Sequence, residues 1–153
     1  MKNIKGLLGI GLGIAFVALF LGISSAFFSD CDFLYEMRFG EYLLQPALMN
    51  VGWIVASISF SVMFGLRFAM GFNWQNAIYF FVFGLLHSLC SFCLFFLQNL
   101  NFSFLIICVI LVMYIISFLR VHSAYPRFFA INLVYFLWIC LILAQNYFLL
   151  IFN

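Results

Sequence analysis

The charged residues of this chain fall into a few short clusters and leave five long stretches without a single charge, at 6–28, 47–66, 77–97, 103–119 and 128–152. Each is about 20 residues long, which at about 1.5 Å per residue takes a helix across roughly 30 Å of hydrocarbon. A helix also satisfies its own backbone hydrogen bonds, which lipid cannot do. The expected fold is all-α: a single integral membrane domain over 1–153, built as a bundle of five transmembrane helices. Composition agrees, with 69% apolar and 7% charged residues, where a soluble domain carries about a quarter charged.

Lys and Arg set the expected orientation. With five spans, Lys2, Lys5, Arg67, Arg120 and Arg127 share one side, while Arg38 lies on the other with Asp30, Asp32, Glu36 and Glu41. The N-terminus is therefore predicted inside and the C-terminus outside, in a bacterial cytoplasmic membrane. Residues 1–26 also have the outline of a signal peptide, but the apolar run to Phe28 is longer than a usual signal core and no sharp cleavage site follows. A retained helix is the expected form. No basic patch of the kind that binds nucleic acid exists. Charge is too scarce for transport of ions, and no Ser, His and acid share one depth as a hydrolase would need.

The long loop, 29–46, mixes acids with Phe33, Leu34, Tyr35, Phe39, Tyr42, Leu43 and Leu44. A loop this apolar is expected to fold over the outer end of the bundle. The remaining links are short, which predicts that consecutive helices are antiparallel neighbours. Gly6, Gly9, Gly11 and Gly13 thin one end of the first helix and allow close approach by another. Phenylalanine alone contributes 24 residues, most of them expected to face lipid.

Polar side chains at membrane depth are costly and therefore informative. His87, Cys90, Ser91, Leu94 and Gln98 recur at spacings of three and four, which puts them on one helical face. Tyr135, Trp138, Ile142, Gln145 and Asn146 form a comparable stripe on the last helix. Both stripes reach the outer half of the bilayer, where the long loop also lies. Two readings follow: a partly polar, aromatic pocket capped by the loop, or interhelical hydrogen-bond glue. His87 has two as well, as a ligand to haem iron or another metal or as a neutral histidine bonded to a neighbouring helix.

Tyr135-x-x-Trp138, then Asn146-Tyr147 and a final Asn153, resembles the last helix of the translocator protein family (TspO/MBR, the tryptophan-rich sensory proteins). The stretch from His87 to Gln98 is similar to that family's third helix, with His87 in place of Asn, Cys90 in place of Trp and Leu94-Phe95 in place of a Phe pair. Phe102 stands where the family often has Trp. Leu34-Tyr35 and Pro46 match its first loop, and Trp53 falls one residue from its second-helix Trp. Val134 replaces a Pro, Gly40-Glu41 replace Lys-Pro and Ile106 replaces an Asp, which marks a distant member. The resemblance implies a five-helix bundle, commonly a homodimer, that binds tetrapyrroles, sterols or other flat apolar rings. The residues it carries over to that pocket are Phe102, Trp138, Ile142, Gln145 and Asn146, with His87, Cys90 and Trp53. No cofactor is required; a porphyrin or haem would be the ligand. Val112-x-Tyr114 with Arg120 also fits a loose sterol-contact pattern.

Two other classes compete. Cys90-x-x-Cys93, with Cys31 in the loop, suggests a quinone-coupled membrane thiol oxidoreductase, although Cys31 is the loop's single cysteine. A structural subunit of a larger membrane complex is the other.

Overall fold

Pro126 lacks a backbone donor and disfavours helical geometry in the residue before it. Tyr125 accordingly leaves the helical region, with φ −136° and ψ 67°. A second break centres on Gln98, whose left-handed φ of 50° is the conformation that commonly ends a helix. Asn99 then caps the next helix, its Oδ1 accepting from the Phe102 amide at 3.1 Å.

The computed structural model describes residues 46–70 and 74–152, together with the helical positions Gly11, Gly13 and Ala15. The described residues form helices α1 (Pro46–Met70), α2 (Trp74–Ser91), α3 (Leu100–Ala124) and α4 (Phe129–Phe152). A π-helical turn, Phe92–Phe96, extends α2, and a 3-10 turn, Pro126–Phe128, leads into α4. The chain is thus all-helical among the described residues. The loop at 29–46, apart from Pro46, and nearly all of the first expected span lie outside them.

Three segments, Trp74–Leu94, Leu100–Ala124 and Pro126–Phe152, are long and apolar enough to cross a membrane, and α1 contributes a shorter apolar stretch at Ile54–Phe68. The links at 98–102 and 120–127 between the expected spans each contain a helix break, at Gln98 and at Tyr125. The helices overrun the uncharged stretches: α1 continues through Arg67 and α3 through Arg120. A single arginine near a helix end does not stop the helix: Arg120 is exposed, and Arg67 is hydrogen-bonded inside the bundle to Asn76 and Ser117.

Consecutive helices are neighbours, as the short links predict, α1 and α2 meeting through their side chains. The backbone of α4 packs closely on α3 and on α1, and that of α2 on α3, while the α1 and α2 backbones stay farther apart. Side-chain size explains the difference. Gly52, Ala56 and Ser59 share one face of α1, and small residues let helices approach closely. Toward α2 the same helix presents Phe60 and Phe64, which hold the backbones apart. Phe60 stacks on Phe83 with ring centroids 4.8 Å apart, and Phe64 meets Phe80 edge-on. These four rings are buried, so this part of the phenylalanine content builds the core instead of facing lipid. Large apolar side chains elsewhere, such as Ile58, Leu105 and Val112, are exposed around the outside, as lipid contact requires.

Gly13 comes against α1 so closely that a β-carbon there would fall 2.8 Å from Phe64 Cδ1 and 3.1 Å from the Ser61 carbonyl. The close approach expected of the glycine-rich segment is therefore realised at this position.

Candidate functional site

Away from Arg67 and Ser117, buried polar residues gather in two layers inside the bundle. The central one is built on Tyr135 of α4. Its backbone N–H donates to Ser59 Oγ of α1 at 3.3 Å, and Ser59 Oγ–H donates to the Ile131 carbonyl. Its hydroxyl bonds to His87 Nε2 of α2. His87 Nδ1 lies 2.9 Å from the Phe83 carbonyl. A carbonyl only accepts, so Nδ1 carries the imidazole proton and Nε2 accepts from the tyrosine. Tyr114 of α3 completes the layer: its ring centroid is 4.5 Å from that of Tyr135, and its hydroxyl donates to the Asn132 carbonyl at 2.6 Å. All four helices are tied together at this level.

A second layer lies toward the end remote from Arg67 and Arg120. Ser103 of α3 donates to Asn146 Oδ1 of α4 at 3.2 Å, and Cys90 Sγ of α2 is 3.4 Å from Ser103 Oγ. Asn146 Nδ2 donates to the Ile142 carbonyl of its own helix at 3.0 Å. Ser91 turns back on α2, donating to the His87 carbonyl at 3.2 Å.

The two expected stripes can be followed residue by residue. Tyr135, Ile142 and Asn146 are buried, and Trp138 and Gln145 are half-buried on the same side of α4. His87 and Cys90 are half-buried and Ser91 is buried. Gln98 leaves the stripe, exposed in the break after the π-helical turn. Phe102 is 59% exposed and does not join the inward cluster. Trp53 lies on α1, its side chain outside the described residues. Trp138 packs directly on α1, where a β-carbon at Gly52 would fall 2.0 Å from its Cη2.

The haem-ligand reading of His87 meets a geometric obstacle, because Nε2, the nitrogen with a free lone pair, is engaged by Tyr135. Among the described residues no three His, Cys, Asp or Glu side chains group to hold a metal ion. Cys90 and Cys93 are free thiols, Cys90 being used as a partner of Ser103, and Cys31 lies outside the described residues. Tyr114, from the loose sterol-contact pattern, is fully buried and faces Asn132, away from lipid.

Sequence reasoning passed over Ser59, Ser103, Ser117 and Asn132, all buried polar residues. Their signal was present in α3, where Ser103, Ile107, Ile110, Tyr114, Ser117 and Val121 recur at spacings of three and four and are all buried. No family model, curated protein or solved structure matches the chain.

Proposed function

We propose that this chain is a five-span integral membrane protein that binds a flat apolar ring compound, porphyrin-like or sterol-like, at the bundle end remote from Arg67 and Arg120. The observation that carries the reading is convergence: Cys90 from α2, Ser103 from α3, and Trp138, Ile142 and Asn146 from α4 turn inward near that end. The 29–46 loop leads straight into α1 at the same end. Trp138 offers a flat face for stacking, and the Asn146 amide offers a polar edge that can exchange its bond to Ser103 for one to the ligand. This matches the arrangement implied by the translocator-like residues Tyr135, Trp138 and Asn146. The role is sensory or transport-related, with no catalysis assigned.

Titration of the purified protein with protoporphyrin, haem and sterols, followed by tryptophan fluorescence, tests the proposal. A ligand of this site quenches Trp138, and Trp138→Phe removes much of that quenching and weakens binding about tenfold, as loss of one stacking contact of about 1.4 kcal/mol would. Unchanged quenching and affinity in that variant would remove the site.

A specific observation also favours the structural-subunit reading: the inward polar groups already bond to one another, as interhelical glue does. Absence of binding by all three ligand classes, with the helical fold intact, would select it.

A further inference from the structure

Near the end of α1, Arg67 is 6% exposed in an apolar surrounding. Its Nε donates to Asn76 Oδ1 of α2 at 3.1 Å, and its Nη1 donates to Ser117 Oγ of α3 at 2.7 Å. The guanidinium carbon lies 4.8 Å from the Tyr79 ring centroid, and Tyr79 is itself tied to α3 by a hydrogen bond to the Met113 carbonyl. These partners fix the plane of the guanidinium, yet each of them is neutral.

A guanidinium has five N–H donors. Two are engaged, which leaves three without a partner among the described residues. No carboxylate is close at hand along the chain. All four acids precede α1, and α1 begins 21 residues before Arg67, about 31 Å away along the helix. Arg120, exposed one turn beyond Ser117 on α3, adds a second positive charge on the helix that Arg67 bonds. Two like charges at a membrane-embedded helix end, one of them buried, are costly unless an anion joins them.

We propose that this end of the bundle holds the phosphate headgroup of an anionic membrane lipid between Arg67 and Arg120. The fork of an arginine matches phosphate geometry, and charge-assisted bonds of this kind are strong. A lipid is favoured over soluble phosphate by the surface beside the pair. Ile116 and Leu119 on α3 and Met70 on α1 are exposed, at 46%, 59% and 49%, and give acyl chains an apolar face that a free anion would not use. The site is at the opposite end from the ring-ligand site and stands independently of it.

The test is native mass spectrometry of the full chain released from micelles, with phosphatidylglycerol or phosphatidylcholine of identical acyl chains added. Phosphatidylglycerol is expected to bind about tenfold more tightly, and Arg120→Gln to remove most of that preference. Arg127→Gln, which removes an exposed charge from the same end, is expected to change it less than about twofold. Arg67→Lys keeps the charge without the fork and is expected to weaken the preference about threefold, its helix content checked by circular dichroism. Equal affinity for the two lipids, or equal effects of Arg120→Gln and Arg127→Gln, overturns the proposal. Displacement of the lipid by millimolar inorganic phosphate would assign the site to a soluble anion and overturn it as well.

Discussion

The Tyr135 hydroxyl donates to Nε2 of His87, and the Phe83 carbonyl on the far side of the imidazole fixes the tautomer that makes this possible. Tyr135 is therefore the residue through which α4 holds α2, while its backbone N–H meets Ser59 of α1. One side chain and its amide join three helices at one depth.

Removing the hydroxyl isolates that contribution. Tyr135→Phe keeps the ring, and with it the packing on Phe60 and Tyr114, but removes the hydroxyl that bonds to Nε2. Interhelical hydrogen bonds in membranes contribute about 0.6–1.7 kcal/mol, so a loss of about 1 kcal/mol is expected in unfolding titrations in mixed micelles. A variant as stable as the parent would mean that the His87 bond contributes nothing. The same variant takes the Tyr135 bond away from Nε2, so tighter haem binding by Tyr135→Phe, lost again with His87→Ala, would identify His87 as a latent haem ligand.

Gly52 and Trp138 give a prediction whose sign depends on the partner. A methyl group at position 52 would lie 2.0 Å from the indole, and overpacking of this kind costs about 1–3 kcal/mol. Alanine is nevertheless the better helix former by about 0.5–1 kcal/mol. In the parent the collision dominates, so Gly52→Ala destabilises. In a Trp138→Ala background the collision is gone and the same change becomes neutral or stabilising. Equal effects in both backgrounds, measured as a double-mutant cycle, would show that the two residues do not touch.

Orientation is testable at two exposed positions. Asn101 opens α3 at one end of the bundle, and Ser123 lies near its other end beside the arginines. With the five native cysteines replaced, Asn101→Cys is expected to react with an impermeant maleimide added to whole cells. Ser123→Cys is expected to react only after the membrane is opened, because basic residues favour the cytoplasmic side. The reverse pattern would invert the orientation.

The segments that became helices were legible from charge together with polar links. The break after the run at 77–97 coincides with Gln98, and the one before the run at 128–152 contains Pro126, since a polar link and a missing backbone donor act locally. Periodicity also identified the inward stripe of Tyr135, Ile142 and Asn146, because a helix face depends on its own spacing. Exclusion of Gln98 from the other stripe was not legible, because a left-handed residue at the helix end carries no periodic signal.

What local pattern could not decide is which faces meet. Sequence order predicts that α1 lies beside α2, yet its backbone sits on α4, because Gly52, Ala56 and Ser59 let α4 approach while Phe60 and Phe64 hold α2 away. The same packing chose Tyr135 for His87, Ser103 for Cys90 and Asn146, and Asn76 with Ser117 for Arg67. The sequence by itself determined helical form, spans long and apolar enough to cross a membrane, and the inward faces, since each follows from the transfer of side chains and backbone from water to lipid. Pairings between helices were decided by tertiary structure alone, because they depend on side-chain volumes and hydrogen-bond geometry across residues far apart in the chain.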